Sequence, residues 1–144
     1  MKHFTIREFL QSSTAGALGL NNIPGAKEVE ALEALVDNIL DPARDAFGAP
    51  ITVSSGYRSP ALNKAVGGAS TSQHMKGEAA DIKCSDNAKL FAILLDKGGF
   101  DQLIWEYGNA KQPDWVHVSY RADGKNRGQA LKTQGKKYIP YTKK

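Results

Sequence analysis

Two histidines and one aspartate, His74, Asp81 and His117, constrain the fold of this chain most strongly, because they must meet at one point if they bind a metal ion. Two imidazoles and one carboxylate form a set that binds Zn²⁺ tetrahedrally and leaves the fourth position open for water. An open position separates catalytic zinc sites from closed structural ones. The pattern therefore favours a metallohydrolase whose fold brings residues 74–81 beside residue 117.

The length and composition favour one domain that spans residues 1–144. A chain of this size can bury roughly 70% of its unfolded surface, which is enough for one core. Cys84 is the only cysteine, so no internal disulfide forms and the fold rests on packing and metal. Residues 1–8 lack the apolar core of a secretion signal, and no stretch approaches the ~20 apolar residues of a membrane span. We expect a soluble monomer that is made in the cytoplasm and reaches a cell wall only if it is released.

The positive charge is concentrated at the C-terminal end. Residues 121–144 contain eight Lys or Arg and one acid, Asp123, within a chain of net charge +4. Clustered cations raise the local concentration of a polyanion, so this basic tail could bind an anionic polymer such as wall teichoic acid or nucleic acid. The alternative is a solvated, partly mobile end. No nucleic-acid motif accompanies the charge, so nucleic acid ranks last among the partners.

The predicted elements alternate between helices and strands. Thr5 and Glu8 fit a capping box at the start of a short helix, and a loop is expected over residues 12–25. Apolar residues at helical spacing predict a long helix over residues 29–47, which Pro42 should kink or split. The remaining predictions are strands at 51–55, 79–83, 102–107 and 116–120, a short helix at 60–66, a loop at 69–77 and a helix capped by Ser85.

Strand periodicity bears directly on how the candidate ligands meet. His74 falls in a loop and Asp81 on the next strand, so the intervening residues give both side chains slack to face one ion. His117 falls in the last predicted strand, where alternation puts Trp115 on the same face. Asp114 would point away from His117 in a regular strand, although Pro113 favours an approach loop from which Asp114 could turn inward. His3 is interpreted as structural, and Cys84 as a small buried hydrophobic residue rather than a ligand.

Three motifs resemble one enzyme family. Ser72-x-His74-x-x-Gly77-x-Ala79-x-Asp81 matches a motif of the zinc D-Ala-D-Ala carboxypeptidases, which include vancomycin-resistance dipeptidases and small phage L-alanyl-D-glutamate endolysins. The family's acid three residues before a histidine is matched by Asp114 and His117. Its upstream element is matched by Gly56-Tyr57-Arg58-Ser59. The resemblance covers about residues 51–120, so the basic tail lies outside it.

The resemblance implies roles and a fold. His74, Asp81 and His117 would be the zinc ligands, Asp114 the general base, and Arg58 the cation that polarises the scissile carbonyl. Glu106 is the alternative base if Asp114 faces outward. The side chains expected to bind substrate are Ser72, Tyr57 and Gln73. The implied fold is the α+β hedgehog/DD-peptidase fold, a small, mostly antiparallel sheet with helices packed on it.

The function implied by the resemblance is zinc-dependent hydrolysis of a peptide bond in the peptidoglycan stem. The enzyme would be a carboxypeptidase or an endopeptidase, with a phage or prophage endolysin as one form. A cytoplasmic D-Ala-D-Ala dipeptidase is the enzymatic alternative. A zinc-stabilised module that binds a cell wall or a protein, without catalysis, is the alternative from another class, and intact Arg58 and Asp114 argue against it.

Overall fold

The computed structural model describes residues 1–142, and a six-stranded sheet lies at its centre. The strands in chain order are β1 (Thr52–Ser55), β2 (Ala79–Lys83), β3 (Gln102–Glu106), β4 (Trp115–Ser119), β5 (Gln129–Gln134) and β6 (Lys137–Pro140). Their order in the sheet is β1-β2-β4-β3-β5-β6. Neighbouring strands are antiparallel except β3 and β5, which run parallel. The predicted α+β class with a mostly antiparallel sheet is therefore confirmed.

The helices precede the sheet or connect its strands. They are α1 (Ser13–Leu18), α2 (Ala26–Leu35), α3 (Asp41–Phe47), α4 (Pro60–Ala65) and α5 (Asn87–Lys97), with 3-10 turns at Ile6–Phe9 and Gln73–Lys76. No helix within residues 1–142 is long and apolar enough to cross a membrane.

The interruption predicted at Pro42 takes the form of a π-helical turn, Val36–Leu40, between α2 and α3. The Asp41 N–H donates to the carbonyl of Val36, five residues back. Pro42 then occupies the first turn of α3, where a missing N–H does little harm. The π-helical turn therefore places the proline at a helix start and not in a helix interior.

The hydrophobic core lies on one face of the sheet. Alternation along β2 sends Ala80 and Ile82 into it and turns Asp81 to the opposite face. The helices contribute fully buried leucine, isoleucine and phenylalanine side chains, each worth about 1.5–3 kcal/mol of transfer free energy: Leu32, Leu35, Ile39, Leu40, Leu90, Phe91 and Leu94. The face of the sheet that carries Asp81 is thereby left for a site.

Two short helical segments and one helix cap depart from the predictions. Helix α1 lies inside the predicted loop at 12–25, with Ser12 accepting the Ala15 N–H at its start and Gly19 ending it. The predicted loop at 69–77 contains the 3-10 turn Gln73–Lys76. Asp86, and not Ser85, caps α5. Elements this short are stabilised by their caps and neighbours, so they leave little apolar periodicity to detect.

The basic tail is structured over most of its length, so its interpretation as a mobile end is wrong for residues 129–140. Strand β5 pairs with β3, and β6 pairs with β5. Beyond β6, Tyr141 packs on Phe91 and Trp105 with ring centroids 4.6 and 6.0 Å apart. The tail thus forms one side of the sheet. Residues 143–144 lie outside the described part of the chain.

Gly77→Ala should destabilise the fold more than Gly48→Ala. Both glycines end a helical turn in the left-handed conformation, with φ of 71° and 77°, and that strain alone costs about 1–2 kcal/mol. A Cβ at Gly77 would also overlap the carbonyl of Glu28, whereas one at Gly48 meets no atom within 4 Å. Overpacking adds about 1–3 kcal/mol. Urea unfolding of both variants would measure the difference, and equal losses would contradict this account.

Candidate metal centre

His74, Asp81 and His117 meet on the face of the sheet opposite the hydrophobic core. Asp81 lies in the middle of β2, directly opposite His117 on β4, and the 3-10 turn brings His74 over them. His117 Nδ1 is 2.9 Å and His74 Nε2 is 3.5 Å from Asp81 Oδ1. One donor atom of each residue lies within 4.8 Å of the others. Ligands of a tetrahedral zinc ion are roughly 3.4 Å apart at the usual bond lengths, so the cluster fits one such ion with little adjustment.

The environment of His74 favours the neutral ring that metal binding requires. Burial lowers the pKa of His74, while the hydrogen bond and charge of Asp81 partly oppose that effect. His74 Nδ1 lies 2.7 Å from the carbonyl oxygen of Gly56. Because a carbonyl only accepts, Nδ1 carries the proton and Nε2 presents its lone pair to the cluster. Ligand histidines in metal sites are commonly oriented in this way.

Asp81 is an ionised carboxylate inside the protein surface. Asp81 is 8% exposed, and burial by itself would raise the pKa of its carboxyl. The neighbouring imidazoles of His117 and His74 outweigh burial and hold the pKa of Asp81 well below its usual range. Arg58 Nη2 lies 3.6 Å from the other carboxylate oxygen. A buried anion with two imidazoles beside it is a suitable ligand set for a divalent transition metal.

Arg58 is fixed at the edge of the cluster by polar side chains. Its Nε donates to Ser55 Oγ at 3.2 Å, and its Nη1 donates to Asn63 Oδ1 at 3.3 Å. Asn63 is 3% exposed and also donates to the carbonyl of Ala69. The Arg58 N–H donates to the carbonyl of His74, so the arginine and the ligand turn are tied together. The sequence did not identify Asn63, since an asparagine in a short helix has no signal of its own.

The cluster opens into a cleft of about 590 Å³. Arg58, Glu106, Trp115 and Tyr138 are among the residues that line it. Glu106 is 6% exposed, and burial raises the pKa of its carboxyl, with His117 acting in the opposite direction and Asp81 in the same one. An acid of this kind exchanges protons closer to neutrality than an exposed glutamate does.

Asp114 is not brought into the cleft. It is exposed and is not among the residues that line the cavity. Its backbone N–H donates to the carbonyl of Glu106, and its carbonyl accepts from Asn87 Nδ2. Strand β4 begins at Trp115, which faces the cleft as His117 does, so alternation already turns Asp114 away. Of the two acids considered from the sequence, the structure brings only Glu106 into the cleft.

The three residues expected to bind substrate differ in position. Ser72 and Gln73 line the cleft, whereas Tyr57 is buried and does not. Ser72 Oγ accepts the His74 N–H at 3.2 Å, which starts the ligand turn. Gln73 Nε2 donates to Asp101 and Glu78. Both side chains therefore support the ligand turn and are also open to a bound molecule.

The other possible ligands in the described chain stay outside the cluster. Cys84 is partly buried, and burial raises the pKa of its thiol, which suits a packing residue and not a metal-binding thiolate. His3 Nε2 lies 2.7 Å from Asp45 Oδ1 at the surface, in agreement with its structural interpretation.

An open cleft on the α+β sheet thus contains a His-Asp-His cluster that could hold one metal ion, beside a fixed arginine and a buried glutamate, the features expected of a hydrolytic metal site. The sequence model of Peptidase M15 matches residues 2–119, and the chain belongs to this family. It is also 54% identical over 82 residues to the zinc D-Ala-D-Ala carboxypeptidase of Streptomyces albus G. The alignment covers 56% of this chain but only 32% of that protein, so the chain spans about a third of this relative's length.

Replacing Asp81 by Asn should reduce zinc affinity by about 100-fold or more while it preserves side-chain volume. The change removes the only anionic ligand of the cluster, and an amide oxygen is a much weaker ligand for zinc. Competition with a chelating dye would measure the affinity. Asp123→Asn removes an exposed carboxylate that pairs with Arg121 and should leave zinc affinity unchanged; an equal loss in both variants would contradict the assignment.

Proposed function

We propose that this chain is a zinc-dependent peptidase that hydrolyses a peptide bond in the peptidoglycan stem. The observation that carries the proposal is the His-Asp-His cluster, with donor atoms within 4.8 Å of one another in an open cleft. Membership of Peptidase M15 and the similarity to a zinc D-Ala-D-Ala carboxypeptidase support the metal and the substrate class.

Zinc bound here would supply a Lewis acid that stabilises developing negative charge and lowers the pKa of water to about 7. His74, Asp81 and His117 would hold it, with the ring of His74 oriented by Gly56. The cleft leaves room beside them for an extended peptide, because backbone alternation on the sheet keeps this face free of core side chains.

Glu106 is the general base in this proposal. It takes the proton of the attacking water and passes it to the leaving amine, which must be protonated before the C–N bond breaks. Its burial and raised pKa bring its proton affinity closer to the operating pH than that of an exposed acid. The position on β3, paired with Trp115 on β4, puts it in the same cleft as His117.

Arg58 stabilises the oxyanion of the tetrahedral intermediate in this proposal. It lines the cleft, and Ser55, Asn63 and Asp81 fix its guanidinium before substrate arrives. A cation held in place pays no reorganisation energy when charge develops on the carbonyl oxygen. Such a contact strengthens in the transition state and therefore raises turnover.

Glu106→Gln should lower kcat about 10²- to 10⁴-fold, whereas Asp114→Asn should keep kcat within a few-fold of the wild type. Both variants replace a carboxylate by its amide, so they differ only in which acid is removed. Zinc content measured on the same samples would separate lost chemistry from lost metal. A large loss of kcat in Asp114→Asn, with little change of kcat in Glu106→Gln, would instead assign Asp114 as the general base.

Digestion of purified sacculi and muropeptides should release peptide fragments, and a chelator or His74→Ala should abolish the release. Mass spectrometry of the fragments would identify the bond. Release from intact sacculi would support an endolysin that is made in the cytoplasm and acts on the wall once freed. Hydrolysis of free D-Ala-D-Ala alone would support the cytoplasmic dipeptidase instead, and undiminished cleavage with chelator would remove the zinc mechanism.

A non-catalytic binding module is disfavoured by the same geometry. A module that needs metal only for stability gains nothing from a buried Glu106 and a fixed Arg58 in the cleft. Attachment to an anionic wall polymer remains a proposed auxiliary property, supported by exposed lysines on the tail at Lys125, Lys132, Lys136 and Lys137.

A further inference from the structure

A fully buried carboxylate lies just before β3, outside the metal cluster. Asp101 has no exposed surface, and its oxygens accept four hydrogen bonds. Gln73 Nε2 donates at 3.0 Å, and Arg127 donates through its backbone N at 2.9 Å, its Nε at 3.0 Å and its Nη2 at 2.8 Å. The guanidinium therefore meets Asp101 with two parallel donors, the geometry that fixes an arginine most firmly.

The rest of the Arg127 guanidinium makes no hydrogen bond to Asp101. The two bonds to Asp101 use Nε and one N–H of Nη2, out of five donors in the group. The side chain is 54% exposed, and the residue lines the same cleft as His74 and His117. The pair with Asp101 raises the pKa of Arg127 further above its ordinary value. The fold thus holds a permanent cation, with donors to spare, at one wall of the cleft.

We propose that Arg127 binds a carboxylate of the substrate and so selects peptides with a free acid group beside the scissile bond. This inference rests on the proposed peptidase function and adds a specificity residue from the tail, which lies beyond the family match at residues 2–119. The C-terminal carboxylate and the α-carboxylate of D-glutamate are two such groups in a peptidoglycan stem. Both present the planar pair of oxygens that a guanidinium recognises.

Arg58 is less suited to this role. Its Nε and Nη1 donate to Ser55 and Asn63, and its Nη2 faces Asp81. Each of its three nitrogens already has a protein partner, which leaves single N–H groups of Nη1 and Nη2 for the reacting carbonyl and no nitrogen with both N–H groups unused. Arg127 is the cleft arginine that pairs with its carboxylate through Nε and Nη2 and leaves Nη1 for another partner.

A purely structural role for Arg127, as the counter-ion of Asp101, makes a different prediction. Losing a counter-ion would weaken the binding of every peptide to the same degree, whatever groups the peptide carries. Losing a carboxylate-binding group weakens the binding of only those peptides that have that carboxylate. The substrate's own acid groups can therefore separate the two roles.

The test is a titration with three forms of one stem pentapeptide: the free acid, its C-terminal amide, and the form in which the D-glutamate α-carboxylate is amidated. Binding is measured on zinc-loaded protein carrying Glu106→Gln, so that the peptides persist. We expect the free acid to bind about tenfold more tightly than one of the two amides, and that amide identifies the carboxylate. Adding Arg127→Gln should abolish the preference.

Two further variants control the result. Arg121→Gln removes a tail arginine that pairs with Asp123 and does not line the cleft, and it should keep the preference. The double replacement Asp101→Asn with Arg127→Gln avoids leaving a buried charge unpaired, so it should fold and still lack the preference. The proposal is overturned if the preference for the free acid survives in the double variant. It is also overturned if protein with Arg127 intact shows no such preference. Failure of the peptidase function would appear separately, as absent hydrolysis by the wild-type protein.

Discussion

The buried charge of Asp81 is the interaction on which the rest of the structure depends. An ionised carboxylate in a largely closed environment is costly unless charged or polar groups surround it. Here those groups come from distant segments: His74 from the 3-10 turn, His117 from β4 and Arg58 from the turn after β1. The chain satisfies Asp81 by assembling these segments, so the folded structure brings the candidate ligands together.

The meeting of His74, Asp81 and His117, and the strands that carry Asp81 and His117, were predictable because their signals are local. The bounds of β2 agree with the predicted strand at 79–83, and a fixed spacing of small residues around two ligands leaves few alternatives. It was harder to predict which of Asp114 and Glu106 lies in the cleft, since that depends on the residue at which β4 begins. Strands β5 and β6 escaped prediction altogether. β5 has few apolar residues and β6 is only four residues long. β5 is specified by parallel pairing with β3, a contact that no short window of sequence contains.

A second group of residues had no local signal because their partners are far away in the chain. Asn63 joins Arg58 to the loop at Ala69. Asn22 holds the turn after β1 through the carbonyl of Tyr57 and the N–H of Ser59. Gln73, the neighbour of a metal ligand, reaches Asp101 and through it Arg127. Polar side chains in loops look alike in a sequence, yet these determine how rigidly the site is held.

The parallel pairing of β3 with β5 affects where the chain can be cut. The recognisable family segment stops at residue 119, which suggests a natural place to trim a fragment for expression. Such a fragment would strip β5 from β3 and uncover a row of backbone amides and carbonyls along an apolar strand. It would also leave the Asp101 carboxylate without its guanidinium. Fragments that end at this motif boundary should aggregate, and a minimal soluble unit has to extend through residue 140.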